Sequence, residues 1–192
     1  MNPGRGRHKV ALALACALAL TLGAAACGTE EETEHVDGKE VAFVVEGEPI
    51  ELGDLRFNVQ ITRFLNPNDT EDSEYLEGLP EPPSGKDYLA VFMEVENEGD
   101  EDLRLPSAEE MEIMDTTGAV YEPVEAESLF GLDLGGVIPA GETAPATDSA
   151  AASGPVQGAF VLFLVDTAVS ENRPLELEIL ADGEEGVIEL DI

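Results

Sequence analysis

Two cysteines, two histidines and 42 aspartates and glutamates are the groups with which this chain would build nucleophilic, metal or acid–base chemistry. The cysteines are Cys16 and Cys27 and the histidines His8 and His35, so residues 41–192 contain neither type. A Ser-His-Asp or Cys-His nucleophile is therefore excluded there, because no imidazole is present to take the proton. Zinc sites built on Cys or His are excluded for want of ligands. Neither G-x-x-x-x-G-K-[ST] nor G-x-G-x-x-G occurs, so no such glycine-rich loop can cradle a phosphate. Carboxylates remain. A pair of them serves glycoside hydrolysis in an aromatic-lined cleft, but the chain has no Trp, and acids are so numerous that no pair stands out. The expectation is a protein without catalytic residues, enzymatic activity or a cofactor.

Calcium, which takes oxygen ligands only, is the metal this composition suits best. The stretch NPNDTEDSEYLE (66–77) sets Asn66, Asn68, Asp72 and Glu77 at positions 1, 3, 7 and 12, loosely similar to an EF-hand loop. Position 6 is Glu71 where the turn needs glycine, and no helical pattern flanks it, so a solvated acidic loop is the simpler reading. Met111 and Met114 would offer thioethers to copper. Three residues apart on a strand they face opposite ways, which favours core packing.

The acids also decide which partners are ruled out. From residue 27 onward six basic residues stand against 42 acids, a net of −36. Phosphates would be repelled, which argues against nucleic acid, and so would an anionic membrane surface approached through charge. Cations, a basic partner or plain solubility are compatible with it.

Basic residues cluster instead at the start. MNPGRGRHK is followed by the 13-residue apolar run VALALACALALTL (10–22) and by GAAAC. A basic segment, a short apolar run and a small-residue zone make a secretory signal peptide. The run is too short to span a bilayer, which takes ~20 helical residues. Ala24-Ala25-Ala26-Cys27 resembles the lipobox of bacterial lipoproteins, although Ala24 stands where leucine is preferred. In that family the cysteine carries diacylglycerol and the preceding peptide is removed, which implies cleavage after Ala26 and a membrane anchor at Cys27. The same three alanines fit an A-x-A site for the ordinary signal peptidase, which would leave Cys27 a lone exported thiol. Cys16 lies inside the apolar run and is expected to be discarded with it.

Three segments follow: a signal peptide (1–26), a flexible acidic tether (27–40) and one domain (41–192). The tether has one aliphatic residue, Val36, and cannot bury enough surface to order itself. The domain reads as strands. LRFNVQI (55–61) alternates with Leu55, Phe57, Val59 and Ile61 on one face. YLAVFMEV (88–95) is apolar on both faces and predicts a central strand. VAFVV (41–45), EMEIMD (110–115), the turn-and-strand TTGAVYEP (116–123), GAFVLFLV (158–165), LELEIL (175–180) and GVIEL (186–190) complete eight or nine short strands, the pattern of an all-β sandwich or barrel. SAEEMEIM (107–114) opens like a capping box and predicts one helical turn at most. Two long segments stay irregular: 66–85, with four prolines and many acids, and the Ala-rich 139–155.

The order of landmarks resembles a family. Asn97 and Gly99 end the central strand, Asp115, Gly118 and Tyr121 form D-x-x-G-x-x-Y, and Pro139-Ala140-Gly141-Glu142 is a turn before the strong apolar strand Ala159 to Val165. This set resembles the immunoglobulin-like lipoprotein domain of unknown function found in Gram-positive cell envelopes, a family related in fold to a secreted immunoprotective mycobacterial antigen. The resemblance covers about residues 41–192 and implies an antiparallel immunoglobulin-like β-sandwich, with no implied activity. Each piece also has a local reason, since these are turn residues.

The functional expectation is an exported protein on the outer face of the cell membrane. It acts as a non-catalytic binding or accessory module whose partner is an envelope protein or another surface component, with 66–85 as the contact loop. The alternative is a cation-responsive, calcium-type or solute-binding lipoprotein that uses its acidic loops. A purely structural envelope protein is a third class.

Overall fold

A computed structural model describes residues 32–36, 39–126 and 128–192. Among them lie thirteen strands: β1 (Glu32–Val36), β2 (Lys39–Val45), β3 (Ile50–Leu52), β4 (Leu55–Leu65), β5 (Lys86–Asn97), β6 (Leu103–Arg104), β7 (Met111–Met114), β8 (Val120–Tyr121), β9 (Val137–Ile138), β10 (Thr143–Ala144), β11 (Ala159–Asp166), β12 (Leu175–Ala181) and β13 (Glu184–Leu190). One sheet runs β1-β2-β13-β12-β7-β8. The other centres on β5, with β4 and then β3 on one side and β11 and β10 end to end on the other. β6 and β9 form a separate small pair. All pairings are antiparallel except β13 with β2. The architecture is an antiparallel β-sandwich, one of the two forms the strand pattern predicts and the immunoglobulin-like one that the resemblance implies.

All eight strands read from the sequence are present. β3, β6, β9 and β10 have only two or three residues, too few for a period to register. β1 pairs with β2 from Glu32 opposite Phe43 to Val36 opposite Lys39, so strand pairing begins inside the stretch read as tether. A ladder needs only main-chain groups, and composition does not reveal those.

The core lies between the sheets. Phe57, Val59, Leu89, Val91, Met93 and Phe163 from one sheet meet Ile113, Leu175, Leu177, Ile179 and Ile188 from the other, all essentially buried. Met111 joins them, and Met114, on the other face of β7, is half-buried. β5 is central as expected: its second face, Tyr88, Ala90 and Phe92, packs into a separate cluster with Phe160 and Leu162.

Two expectations are corrected. Ile61 does not share the inward face of β4. The register shifts between Val59, opposite Met93, and Ile61, opposite Phe92, so Gln60 is one residue extra. A bulge reverses the parity of every later side chain. Ile61 turns outward and is 39% exposed, and Thr62 takes the buried position.

The 66–85 segment is not a free loop either. Asp69 accepts a hydrogen bond from the Glu71 amide (2.9 Å) and starts a one-turn helix, Thr70–Ser73. The chain then lays Tyr75 and Leu76 on the outer face of β5 and β11. The Tyr75 ring stands edge-on to Phe92, Phe130 and Phe160, with centroids 5.2, 5.0 and 5.9 Å away. Its hydroxyl accepts from the Val156 amide (3.1 Å). Tyr88 donates to the Pro80 carbonyl (3.0 Å), and Asp72 is ion-paired with Arg63 of β4. Segment 139–155 is likewise structured in part. Ser149 caps a second one-turn helix, Ala150–Ser153, and Ala151 is buried against the core.

Candidate functional site

Ala26 and Cys27, the expected cleavage and lipid-attachment positions, lie outside the described residues. Of the oxygen donors read as a calcium set, three come together and one does not join them in any hydrogen bond. The Asn66 carboxamide oxygen accepts from the Asn68 amide (3.0 Å), and the Asp72 carboxylate accepts from the Asn66 amide (2.8 Å) and from Arg63. Glu77 is exposed. Asp72 thus already faces a cation, the guanidinium that pins the loop to β4. Among the described residues no three His, Cys, Asp or Glu side chains are grouped to hold a metal ion.

The landmark residues prove to be turn staples. Asn97 is fully buried at the end of β5. Its amide nitrogen donates to the carbonyls of Glu101 (2.8 Å) and Ile138 (3.0 Å), and its side-chain oxygen accepts from Gly99 (3.0 Å). Its backbone receives the Pro139–Glu142 turn through Gly141 N–H to Asn97 O and Asn97 N–H to Glu142 O, both 3.0 Å. One side chain therefore fixes the ends of three segments.

Asp115 does the same for the β7–β8 hairpin. One carboxylate oxygen accepts from the Thr117 hydroxyl (2.6 Å) and from the amides of Thr117 and Ala119; the other accepts from Asn172 (3.1 Å). The Thr117 hydroxyl above all holds its carboxyl below the usual carboxylate range. Gly118 has φ +80°, a conformation that L side chains resist, which is why glycine sits in this turn.

Tyr121 lines a cleft of about 570 Å³ with Asp115, Asp166 and Asn172. Its hydroxyl donates to Asp166 (3.4 Å), which is paired with Lys86 (2.9 Å). Burial, then the charges of Asp115 and Asp166, push the Tyr121 hydroxyl up from its ordinary value.

A larger cavity, about 820 Å³, opens on the outer edge of β11. The segment after β8 crosses this edge twice. It touches it at Pro123 opposite Phe163 and at Gly131 opposite Phe160, and bows outward in between. Phe160, Leu162, Val124, Ala126 and Leu132 line the apolar part, and Glu125 and Asp133 supply exposed carboxylates. Leu129, also in the lining, is 83% exposed. The apolar run 158–165 marks Phe160 and Leu162 as buried, but the cavity is made by a connection that lacks any period, so sequence reasoning misses it.

Fold and sites together define an immunoglobulin-like β-sandwich whose landmark polar residues serve its turns. The chain is similar in structure to a secreted protein of Mycobacterium tuberculosis, MPT63, with a TM-score of 0.50 and 13% identity over 78% of this chain and 97% of that one. That likeness shows the β-sandwich fold that the resemblance implied. An uncharacterized β-sandwich protein of Clostridium difficile (TM-score 0.49, 18% identity, 85% of this chain and 99% of that one) and the yjhA protein of Bacillus subtilis (0.49, 12%, 78% and 99%) also align with it. No protein-family model matches the chain, and no curated protein sequence does.

Proposed function

We propose that this chain is an exported, lipid-anchored, non-catalytic binding or accessory module of the cell envelope, held at the outer face of the membrane by Cys27. The observation that carries the reading is the fate of the polar landmarks. Asn97 and Asp115 use their side-chain hydrogen-bonding groups on backbone and side chains of their own turns. The 820 Å³ opening at the edge of β11 is lined in part by apolar side chains, as small-molecule binding pockets are. Residues 41–192 contain no histidine or cysteine to add a nucleophile–base pair.

Export rests on the basic, apolar and small-residue order of residues 1–26, and anchoring on Cys27 as the one cysteine after that segment. The secreted mycobacterial protein that shares the fold agrees with export. Replacing Cys27 by Ser tests the reading. The variant is expected in the medium and the native chain in the membrane fraction. Equal membrane retention of the two would overturn the anchor. Cross-linking on intact cells should then capture an envelope component with the native chain.

A further inference from the structure

We propose that the 820 Å³ cavity on the outer edge of β11 is a binding site for an uncharged apolar small molecule that carries a carbonyl-type oxygen. This deepens the binding reading above and rests on it. Three observations lead there.

The first is an orphan donor. On a strand, successive residues send their N–H and C=O groups to alternate edges. Phe160 sends both to the outer edge: its amide donates to the Phe130 carbonyl and its carbonyl accepts from the Leu132 amide, each at 2.9 Å. Leu162, two residues on and in unbroken register with β5, shares that direction. Its carbonyl accepts from the Val124 amide (2.7 Å), but its own N–H meets no acceptor among the described residues. Leu162 is 2% exposed and lines the cavity. A buried amide without a partner is costly, by about 1–3 kcal/mol, and a ligand oxygen at this point would satisfy it.

The second is size and shape. About 820 Å³ lies within the roughly 300–1,000 Å³ of small-molecule pockets. The edge is already bridged on both sides of Leu162, at Phe163 and Phe160. An added peptide strand would need those same groups, so a compact molecule fits and a strand does not.

The third is charge. Glu125 and Asp133 line the opening, and the chain beyond residue 26 carries −36. A carboxylate or phosphate is repelled, which leaves a neutral oxygen as the acceptor. Leu129, 83% exposed, gains cover when an apolar body fills the space.

Nile red, an uncharged apolar dye with a carbonyl oxygen, is a direct probe. The full chain carrying Cys27→Ser would be titrated with it in aqueous buffer. Fluorescence is expected to rise and saturate at one equivalent, and the Leu162 amide resonance to move with the same midpoint. Ala108→Trp, which fills the cavity from the half-buried turn that lines it, should weaken binding at least tenfold. Leu129→Ser changes an exposed residue, keeps the fold and should weaken binding at least threefold, so it decides the matter if the tryptophan variant does not fold. Lack of saturable binding, affinity unchanged in the folded variants, or a stationary Leu162 resonance would each overturn the site. None of these outcomes bears on anchoring, which fractionation of the Cys27→Ser chain reads separately.

Discussion

Asn97 shows what a single buried amide does in a small sandwich. It joins the end of β5 to the carbonyls of Glu101 and Ile138 and to the Gly99 amide. Removing it strands those groups, at about 1–3 kcal/mol for each left unsatisfied. Asn97→Ala should therefore lower the unfolding free energy by roughly 2–4 kcal/mol in urea titrations, and a loss below about 1 kcal/mol would contradict the staple role. Glu110 gives a pH-dependent counterpart. Arg104, with the backbone and hydroxyl of Ser107, draws its carboxyl down to about 2. A depressed carboxylate stabilises above its unfolded value near ~4.3, and that contribution is lost as pH falls through the folded value. Between about pH 4.5 and 2 the native chain should lose this increment, and Glu110→Gln should lack it, giving a flatter acid limb in thermal scans. At this scale the sequence was informative where the cause is local. Asn97, Asp115, Gly118 and the Ser107–Glu110 box are legible because turns and caps depend on neighbours in the chain. Arg63 with Asp72, and Tyr75 with Phe130, are not legible, because those partners meet only in the folded sheet.

Elements were read well where a period runs for several residues and badly where a few side chains decide. β5, β11 and β12 announce themselves by alternation or by apolar runs. The bulge in β4 is silent, since Gln60 is an ordinary polar residue and nothing marks it as supernumerary. Segment 66–85 is the sharpest reversal. Its acids and prolines dominate the composition, but Tyr75 and Leu76 decide its place. Deleting it should uncover Phe92 and Phe160. Tyr75→Ala should cost about 3–5 kcal/mol, the range for emptying a large aromatic site. Tyr75→Phe, which keeps the ring and loses only the bond to Val156, should cost about 1 kcal/mol. Equal effects of the two would contradict the aromatic plug.

The other sheet has its own liability. On β12, Glu178 stands opposite Glu112 and Glu176 opposite Glu189. Burial, then Glu112, Glu185 and Glu176, push the Glu178 carboxyl up. A raised carboxylate destabilises the fold once it is ionised, and acidification relieves it. Glu178→Gln should thus raise the melting temperature at pH 7 by an amount worth a few tenths of a kcal/mol, as expected for one like-charge cross-strand contact. That gain should vanish as pH falls below the ordinary carboxylate range.

For the whole molecule, charge and address dominate. Forty-two acids against nine basic residues make a self-repelling surface that salt screens. The melting temperature of the folded domain should rise between low and moderate salt, and no rise would remove any fit of this composition to salty surroundings. The same surface is a poor match for nucleic acid. Because the sandwich devotes its landmark polar groups to its own turns, the proposed function turns on the anchor at Cys27. Intact mass of the chain extracted from the membrane fraction tests that most directly. The account predicts a species that begins at Cys27, lacks residues 1–26 and carries a diacylglyceryl adduct. A chain with an unmodified Cys27 would contradict it.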